Sequence, residues 1–140
     1  MISKILKIFL LLFFFTNNSL ANTQYYQEGL NLYKSKKFNE AKFKFEQDIV
    51  FNPKNEMSYL YLSKIFKSLD QKNLQEQNLN TVILLNPQNE EALYNLAKLK
   101  LESSDFKKSK ELNDTLINLC DQFCGESKKL KTEIENLSKK

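Results

Sequence analysis

The two cysteines are the residues of this chain best suited to chemistry. Cys120 and Cys124 stand four residues apart in the segment CDQFCG, which ends at Gly125. Across a helix end, this spacing can bring two Cα atoms to about 6 Å, a distance that permits a disulfide. An even cysteine count favours such a bond where a chain is exported. Gly125 is expected to supply the left-handed turn that ends the helix. Buried free thiols and a redox pair remain as alternatives.

Most other chemistries lack their residues. The 140 residues include no His, and all 21 basic residues are Lys. The chain therefore has no imidazole for nucleophilic catalysis and no guanidinium to clamp a phosphate. Two thiolates leave a zinc site half filled, and the two glycines stand far apart, which excludes a glycine-rich phosphate loop. Carboxylate pairs such as Glu90 and Glu91 are typical of solvated helix starts. We expect no enzyme activity, no cofactor and no metal.

The first 21 residues have the pattern of a secretory signal peptide. Lys4 and Lys7 precede an apolar run over residues 8–15, and Ser19-Leu20-Ala21 has the small-x-small form of a cleavage site. The run is shorter than the roughly 20 apolar residues of a membrane span. Cleavage after residue 21 would leave 19 lysines against 17 acidic residues. This near balance gives no basic patch for nucleic acid. We expect an exported chain, periplasmic or secreted, that is not embedded in a membrane.

The remaining chain repeats with a period of about 34 residues, a length that indicates stacked helical hairpins. Pro53 and Pro87 lie one such period apart, and each follows an Asn and precedes a short polar stretch and a new apolar pattern. Stacking is required because each hairpin must bury its apolar face against a neighbour. Within the first repeat, Phe38, Ala41 and Phe45 recur at helical spacing. The scarcity of Gly and Pro also favours helices.

These positions resemble the tetratricopeptide repeat (TPR) family. The first repeat carries the family pattern best, at positions Tyr25, Gly29, Phe38, Ala41, Phe45 and Pro53. The second departs from the pattern at Lys72 and Gln75, and the third lacks the closing proline at Asp121. The resemblance implies an all-α fold, a right-handed α-solenoid of about three helix-turn-helix hairpins. It places a TPR domain over residues 22–140, with repeats 22–55, 56–89 and 90–123 and a capping helix over 126–138.

In this family the first helices of successive repeats line a concave groove. Transferring the groove positions by register gives a mixed Tyr, Leu and Lys surface: Tyr26, Leu30, Tyr33, Met57, Leu60, Lys64, Lys67, Glu91, Tyr94, Lys98 and Leu101. Such a surface suits an extended or helical peptide with apolar anchors and some acidic character. The family's carboxylate clamp is not expected, because its positions carry Tyr26, Leu30, Tyr61, Glu91 and Asn95.

Together with the signal-peptide pattern, the resemblance implies a non-catalytic scaffold or adaptor of the bacterial cell envelope. Its partner would be a protein or peptide held in the groove. Two alternatives remain open. One is a periplasmic thiol-redox or thiol-sensing protein that uses Cys120 and Cys124. The other is an assembly factor that keeps residues 1–21 as a membrane anchor.

Overall fold

The structure, a computed structural model, describes residues 19–139, with side chains from Gln24 onward. This part of the chain is all α-helical, as the sequence predicts, and contains no strand. Its helices are α1 (Ser19–Lys34), α2 (Phe38–Phe51), α3 (Glu56–Ser68), α4 (Lys72–Leu85), α5 (Glu90–Glu102), α6 (Phe106–Leu119) and α7 (Cys124–Leu137).

The repeat period of the sequence is visible in the backbone. Lys36, Asp70 and Ser104 stand one period apart and adopt left-handed φ values of 59°, 53° and 62°. In each turn, the amide after the left-handed residue donates to a carbonyl five residues earlier, as in Lys37 to Leu32 at 2.9 Å. This is a Schellman closure, which satisfies carbonyls at the helix end. The chain makes these turns with Lys, Asp and Ser instead of glycine.

The chain divides into two packed units, with the boundary between Ser58 and Tyr59. In the first unit α1 packs against α2, and Ala41 and Phe45 are fully buried. Gly29 permits this approach, because a Cβ built on it would lie 2.8 Å from a ring carbon of Phe45. The lack of a side chain at Gly29 is therefore required by packing and not by its backbone angles.

In the second unit α5 packs against α4, α6 and α7, and α6 packs against α7. Leu62, Leu96 and Leu130 stand at the same position of successive repeats, and all three are buried. The helix α7 therefore stands in the register of α3 and α5, as the first helix of an incomplete repeat. It begins at Cys124, and its buried residues are Ser127, Leu130 and Ile134.

The signal-peptide prediction concerns residues 1–21, nearly all of which lie outside the described residues. Of that segment the structure describes only Ser19 to Ala21, as the first residues of α1. None of the helices in the described part combines the length and apolar character needed to cross a bilayer.

Candidate interaction surface

The described residues offer no obvious centre for metal chemistry. No group of three His, Cys, Asp or Glu side chains within the described residues is arranged to hold a metal ion. Four acidic side chains instead pair with lysines of another helix among the described residues, as Glu76 does with Lys100 at 2.5 Å. What the second unit does present is a surface on α3 and α5, which we call the first-helix face. Its members by register are Leu60, Lys64, Lys67, Glu91, Tyr94, Lys98 and Leu101.

Two of these seven side chains belong to the core. Leu60 is only 1% exposed and Leu101 only 6%. The prediction that they line an open groove is therefore wrong for the structure described, because both have been used to pack the repeats together. Lys67 is exposed, whereas Tyr94 and Lys98 are half-buried. The accessible part of the first-helix face is accordingly more basic and more aromatic than the sequence implied.

Lys64 and Glu91 join α3 to α5 across this face. Their Nζ and Oε1 atoms lie 2.8 Å apart, and the two side chains keep 25% and 36% of their exposure. The same ammonium group stands 4.8 Å above the ring centre of Tyr61. A partly exposed pair of this kind adds little stability. The more important consequence of the pair is that Glu91 already neutralises the charge of Lys64 within the chain.

Tyr94 is the main aromatic contact of the face. Its ring centre lies 5.4 Å from that of Phe123, in a tilted arrangement. The ammonium of Lys98 lies 6.0 Å from the centre of the Tyr94 ring, the outer limit for a cation–π attraction. Tyr94 thus links a cation on α5 to the segment that precedes α7.

Glu90 fixes that segment to the start of α5. Its carboxylate accepts hydrogen bonds from the backbone N–H groups of Asp121, Gln122 and Phe123, at 2.6, 2.8 and 2.8 Å. The donation from Phe123, with further donation from Asp121 and Gln122, lowers the pKa of Glu90 below its usual value of 4.5. Hydrogen bonds to the charged form of a carboxyl group have this effect.

The cysteines flank the same segment. The sulfur atoms of Cys120 and Cys124 lie within bonding distance, and their Cα atoms are 4.9 Å apart. Cys120 itself ends α6 in the left-handed region, with φ at 36°. The sequence assigned this turn to Gly125, and that prediction is wrong, because Gly125 has no positive φ and lies inside α7.

The first unit contains the other four predicted groove residues. Tyr26, Leu30, Tyr33 and Met57 are all half-buried. The two tyrosines pack against α2, with ring centres 6.0 Å from Phe45 for Tyr26 and 5.5 Å from Phe38 for Tyr33. These rings therefore contribute to the packing of the first hairpin, and their part in binding a partner remains a prediction.

Sequence reasoning placed Glu90 at a solvated helix start and Tyr61 at a position of the absent clamp, and it assigned no role to Phe123. Glu90 and Phe123 become visible only when the third repeat is compared with the first two. Asp121 stands where Pro53 and Pro87 close the earlier repeats, and a free N–H group there needs an acceptor. That requirement was a usable signal for a nearby carboxylate.

Comparison with known proteins finds no matching protein-family model and no matching curated sequence. Solved structures do match. The Yersinia enterocolitica type III secretion chaperone SycD, in complex with a peptide of the translocator YopD, is 17% identical with a TM-score of 0.75, over 87% of this chain and 97% of that one. The first TPR of Spaghetti (RPAP3), bound to the HSP90 peptide SRMEEVD, is 15% identical with a TM-score of 0.75, over 86% and 95%. The TPR2B domain of yeast Sti1, in a complex named with pHsp70, is 14% identical with a TM-score of 0.77, over 85% and 99%.

Proposed function

Since this chain has the tetratricopeptide repeat fold, we propose that it is a non-catalytic interaction scaffold that binds a protein or peptide. The observation that carries this proposal is the first-helix face of the second unit. There Tyr94 and Lys98 remain partly accessible, and Lys67 is exposed. Tyr provides a large contact area with a polar tip, and partly buried aromatic residues are common anchors in interfaces.

The matching structures support the same proposal. Two of them carry a bound peptide, from YopD in one case and from HSP90 in the other. The present chain covers almost all of each. The absence of His and Arg fits a protein that acts by presenting a surface, because neither residue is needed for that task.

We further propose that Cys120 and Cys124 form a structural disulfide. The pair stands where the third repeat has lost the Asn–Pro turn, so a covalent link would replace the missing constraint. A redox role is the second candidate, and the accessibility of Cys120 favours it. Thiol trapping of the native protein separates the two, because a reactive, exchangeable bond would contradict the structural role.

The proposed setting is the bacterial cell envelope, after export and removal of residues 1–21. Its support is the apolar run, the small-x-small segment and the cysteine pair. Disulfides persist mainly in oxidising compartments. An intact-mass measurement on protein recovered from the native cell tests it. Retention of the leader mass would favour the membrane-anchored assembly factor instead.

A quantitative pull-down tests the scaffold proposal. The bait is the wild-type chain, Tyr94→Ala, or Phe43→Ala. Phe43 is a matched control because it is a 56% exposed aromatic residue of α2, the second helix of its hairpin. We expect Tyr94→Ala to lose at least about tenfold of the bound partner, the scale of an interface anchor, and Phe43→Ala to retain it. Equal recovery by Tyr94→Ala and wild type would show that the first-helix face is not the binding site.

A further inference from the structure

The two lysines of the first-helix face differ in their partners. Lys64 pairs with Glu91, which lies 27 residues later in the chain. Lys98 is the equivalent of Lys64 one repeat on, and the residue at the same distance after it is Gly125. The position that gives Lys64 its carboxylate therefore gives Lys98 no side chain at all.

Neither the backbone nor the packing explains this glycine. Gly125 has no positive φ, so its conformation is open to any L-residue. A Cβ built on Gly125 meets no atom within 4 Å. In this respect it is the opposite of Gly29, where the Phe45 ring leaves no room. The absent side chain at position 125 leaves open space on the surface.

The charge of Lys98 is not matched by a carboxylate in the described part of the chain. Within residues 24–139 it makes no ion pair, and its one charge-related contact is with the Tyr94 ring. Its counterpart Lys64 shows that an ammonium at this register can reach a carboxylate at the start of the next first helix, at 2.8 Å. Lys98 therefore has the length and the charge to form an ion pair with a carboxylate of another molecule.

The contacts around Tyr94 fix the segment before α7 against α5, and the repeat register, in which Gly125 corresponds to Glu91 and Lys98 to Lys64, brings the start of α7 towards Lys98. Glu90 holds the amides of residues 121–123, and Phe123 packs on Tyr94. Gly125 follows Phe123 by two residues, and Lys98 follows Tyr94 by one helical turn. We call the region bordered by Tyr94, Lys98, Phe123 and Gly125 the Lys98 notch. It has a cation, two aromatic rings and an open position.

We propose that the Lys98 notch receives an Asp or Glu side chain from an acidic peptide segment of the partner. That carboxylate would be the intermolecular counterpart of Glu91. This inference rests on the proposed scaffold function and adds the place on the chain where an acidic side chain of the partner is held. The exposed Lys128, one turn into α7, stands in the register of Tyr94 and adds a second cation on α7, which favours an acidic segment over a basic one.

The test uses fluorescence anisotropy with the full chain and three labelled peptides. The peptides share one length and one apolar pattern, and they carry Glu, Gln or Lys at their polar positions. We expect the Glu peptide to bind about tenfold more tightly than the Gln peptide, as suits a charge-assisted contact. The Lys peptide should bind most weakly.

Gly125→Glu is the decisive variant, because it gives Lys98 an internal partner in the way Glu91 serves Lys64. It should lower the affinity for the Glu peptide to about that for the Gln peptide. Gly125→Gln adds a side chain of the same size without the charge and should stay within about twofold of wild type. The open space around Gly125 means that both variants should fold, which circular dichroism checks.

Glu91→Gln gives a reciprocal test that does not alter the notch. It releases Lys64, and the affinity for the Glu peptide should rise by about threefold. Equal binding of the Glu and Gln peptides to wild type would overturn the inference, as would equal losses in Gly125→Glu and Gly125→Gln or no gain in Glu91→Gln. Binding that is independent of peptide charge would leave the scaffold function standing, whereas binding of none of the peptides would refute both.

Discussion

The turns that close the first and third repeats have the same position in the repeat but are held by different chemistry. The first, after α2, contains Asn52 and Pro53, and its side chains bond to one another. Oδ2 of the buried Asp48 accepts hydrogen bonds from Asn55 Nδ2 at 2.7 Å and Ser58 Oγ at 2.5 Å. The third, after α6, has no proline, and the Glu90 carboxylate binds its backbone amides instead. The repeat geometry therefore does not depend on one set of stabilising residues.

The middle turn supports this conclusion. Val82 and Ala92 are the equivalents of Asp48 and Ser58 one repeat on, and all four side chains are fully buried. The second turn thus fills with apolar groups the position that the first turn fills with a polar pair. A buried polar pair stabilises only when both members are satisfied. In the polar set Oδ2 of Asp48 is satisfied, whereas its buried Oδ1 has no hydrogen-bond partner among the described residues. We expect the fold to accept either set but not a mixture in which Ser58 also lacks a partner.

The largest effect we predict comes from removing the carboxylate of Asp48 while its buried partner Ser58 is kept. Asp48→Val should lower the free energy of unfolding by about 3 kcal/mol, because Ser58 loses its acceptor while it remains buried. Urea denaturation followed by circular dichroism measures the change. An unfolding midpoint equal to that of wild type would show that the Asp48 contacts contribute nothing to stability.

Completing the apolar set is the control for that prediction. Asp48→Val together with Ser58→Ala reproduces the Val82 and Ala92 pair at the second turn. We expect the double variant to recover to within about 1 kcal/mol of wild type, because no buried hydroxyl group is left without an acceptor. If the double variant is no more stable than Asp48→Val, the two repeats are not interchangeable at this position.

The next effect concerns the third turn. Replacing both Cys120 and Cys124 with Ser should lower the free energy of unfolding by about 2 kcal/mol, the chain-entropy estimate for so short a loop. The stabilisation belongs to the oxidised pair and is lost on reduction. Wild type in a strong reductant should then match the double-Ser variant. Identical urea midpoints for wild type with and without reductant would argue against a structural disulfide.

Much of the fold could be predicted from the sequence because it depends on local pattern. The spacing of Pro53 and Pro87 and the helical recurrence of Phe38, Ala41 and Phe45 indicate the repeat, and the structure is all-α with a backbone period that matches. These signals survive because each hairpin must bury an apolar face in the same way. Even the small residues at 29, 63 and 97 keep this register.

The surface was harder to predict because register gives a position and not an exposure. Leu60 and Leu101 share the register of Tyr94 and Lys67, respectively, and yet they are buried. Which side chain is covered depends on the bulk of its neighbours in the adjacent helices. The link from Glu90 to residues 121–123 joins positions far apart in the chain, so no local pattern reveals it. Gly125 was misread for a related reason, since the left-handed turn went to Cys120, where the helix ends.

The smallest effect distinguishes two carboxylates with lowered pKa values, one in each unit. Hydrogen bonding from Lys44, and then from Gln24, lowers the pKa of Glu28, whereas backbone amides lower that of Glu90. A lowered folded-state pKa stabilises the protein above the unfolded value of about 4.5 and is lost as the pH falls through the folded value. Glu28→Gln and Glu90→Gln should therefore each reduce the melting temperature at neutral pH, and both differences should shrink on acidification below about pH 4.5. Salt should separate them, because it screens the partly exposed pair of Lys44 and Glu28 but does not remove the backbone N–H groups that donate to Glu90. In about 1 M salt the difference in melting temperature caused by Glu28→Gln should largely vanish, while that caused by Glu90→Gln persists.

Glu126→Gln, at an exposed carboxylate of α7, is the control and should change the melting temperature little under any condition. If salt removes both differences equally, then Glu90 acts through net charge and not through the three amides of the third turn.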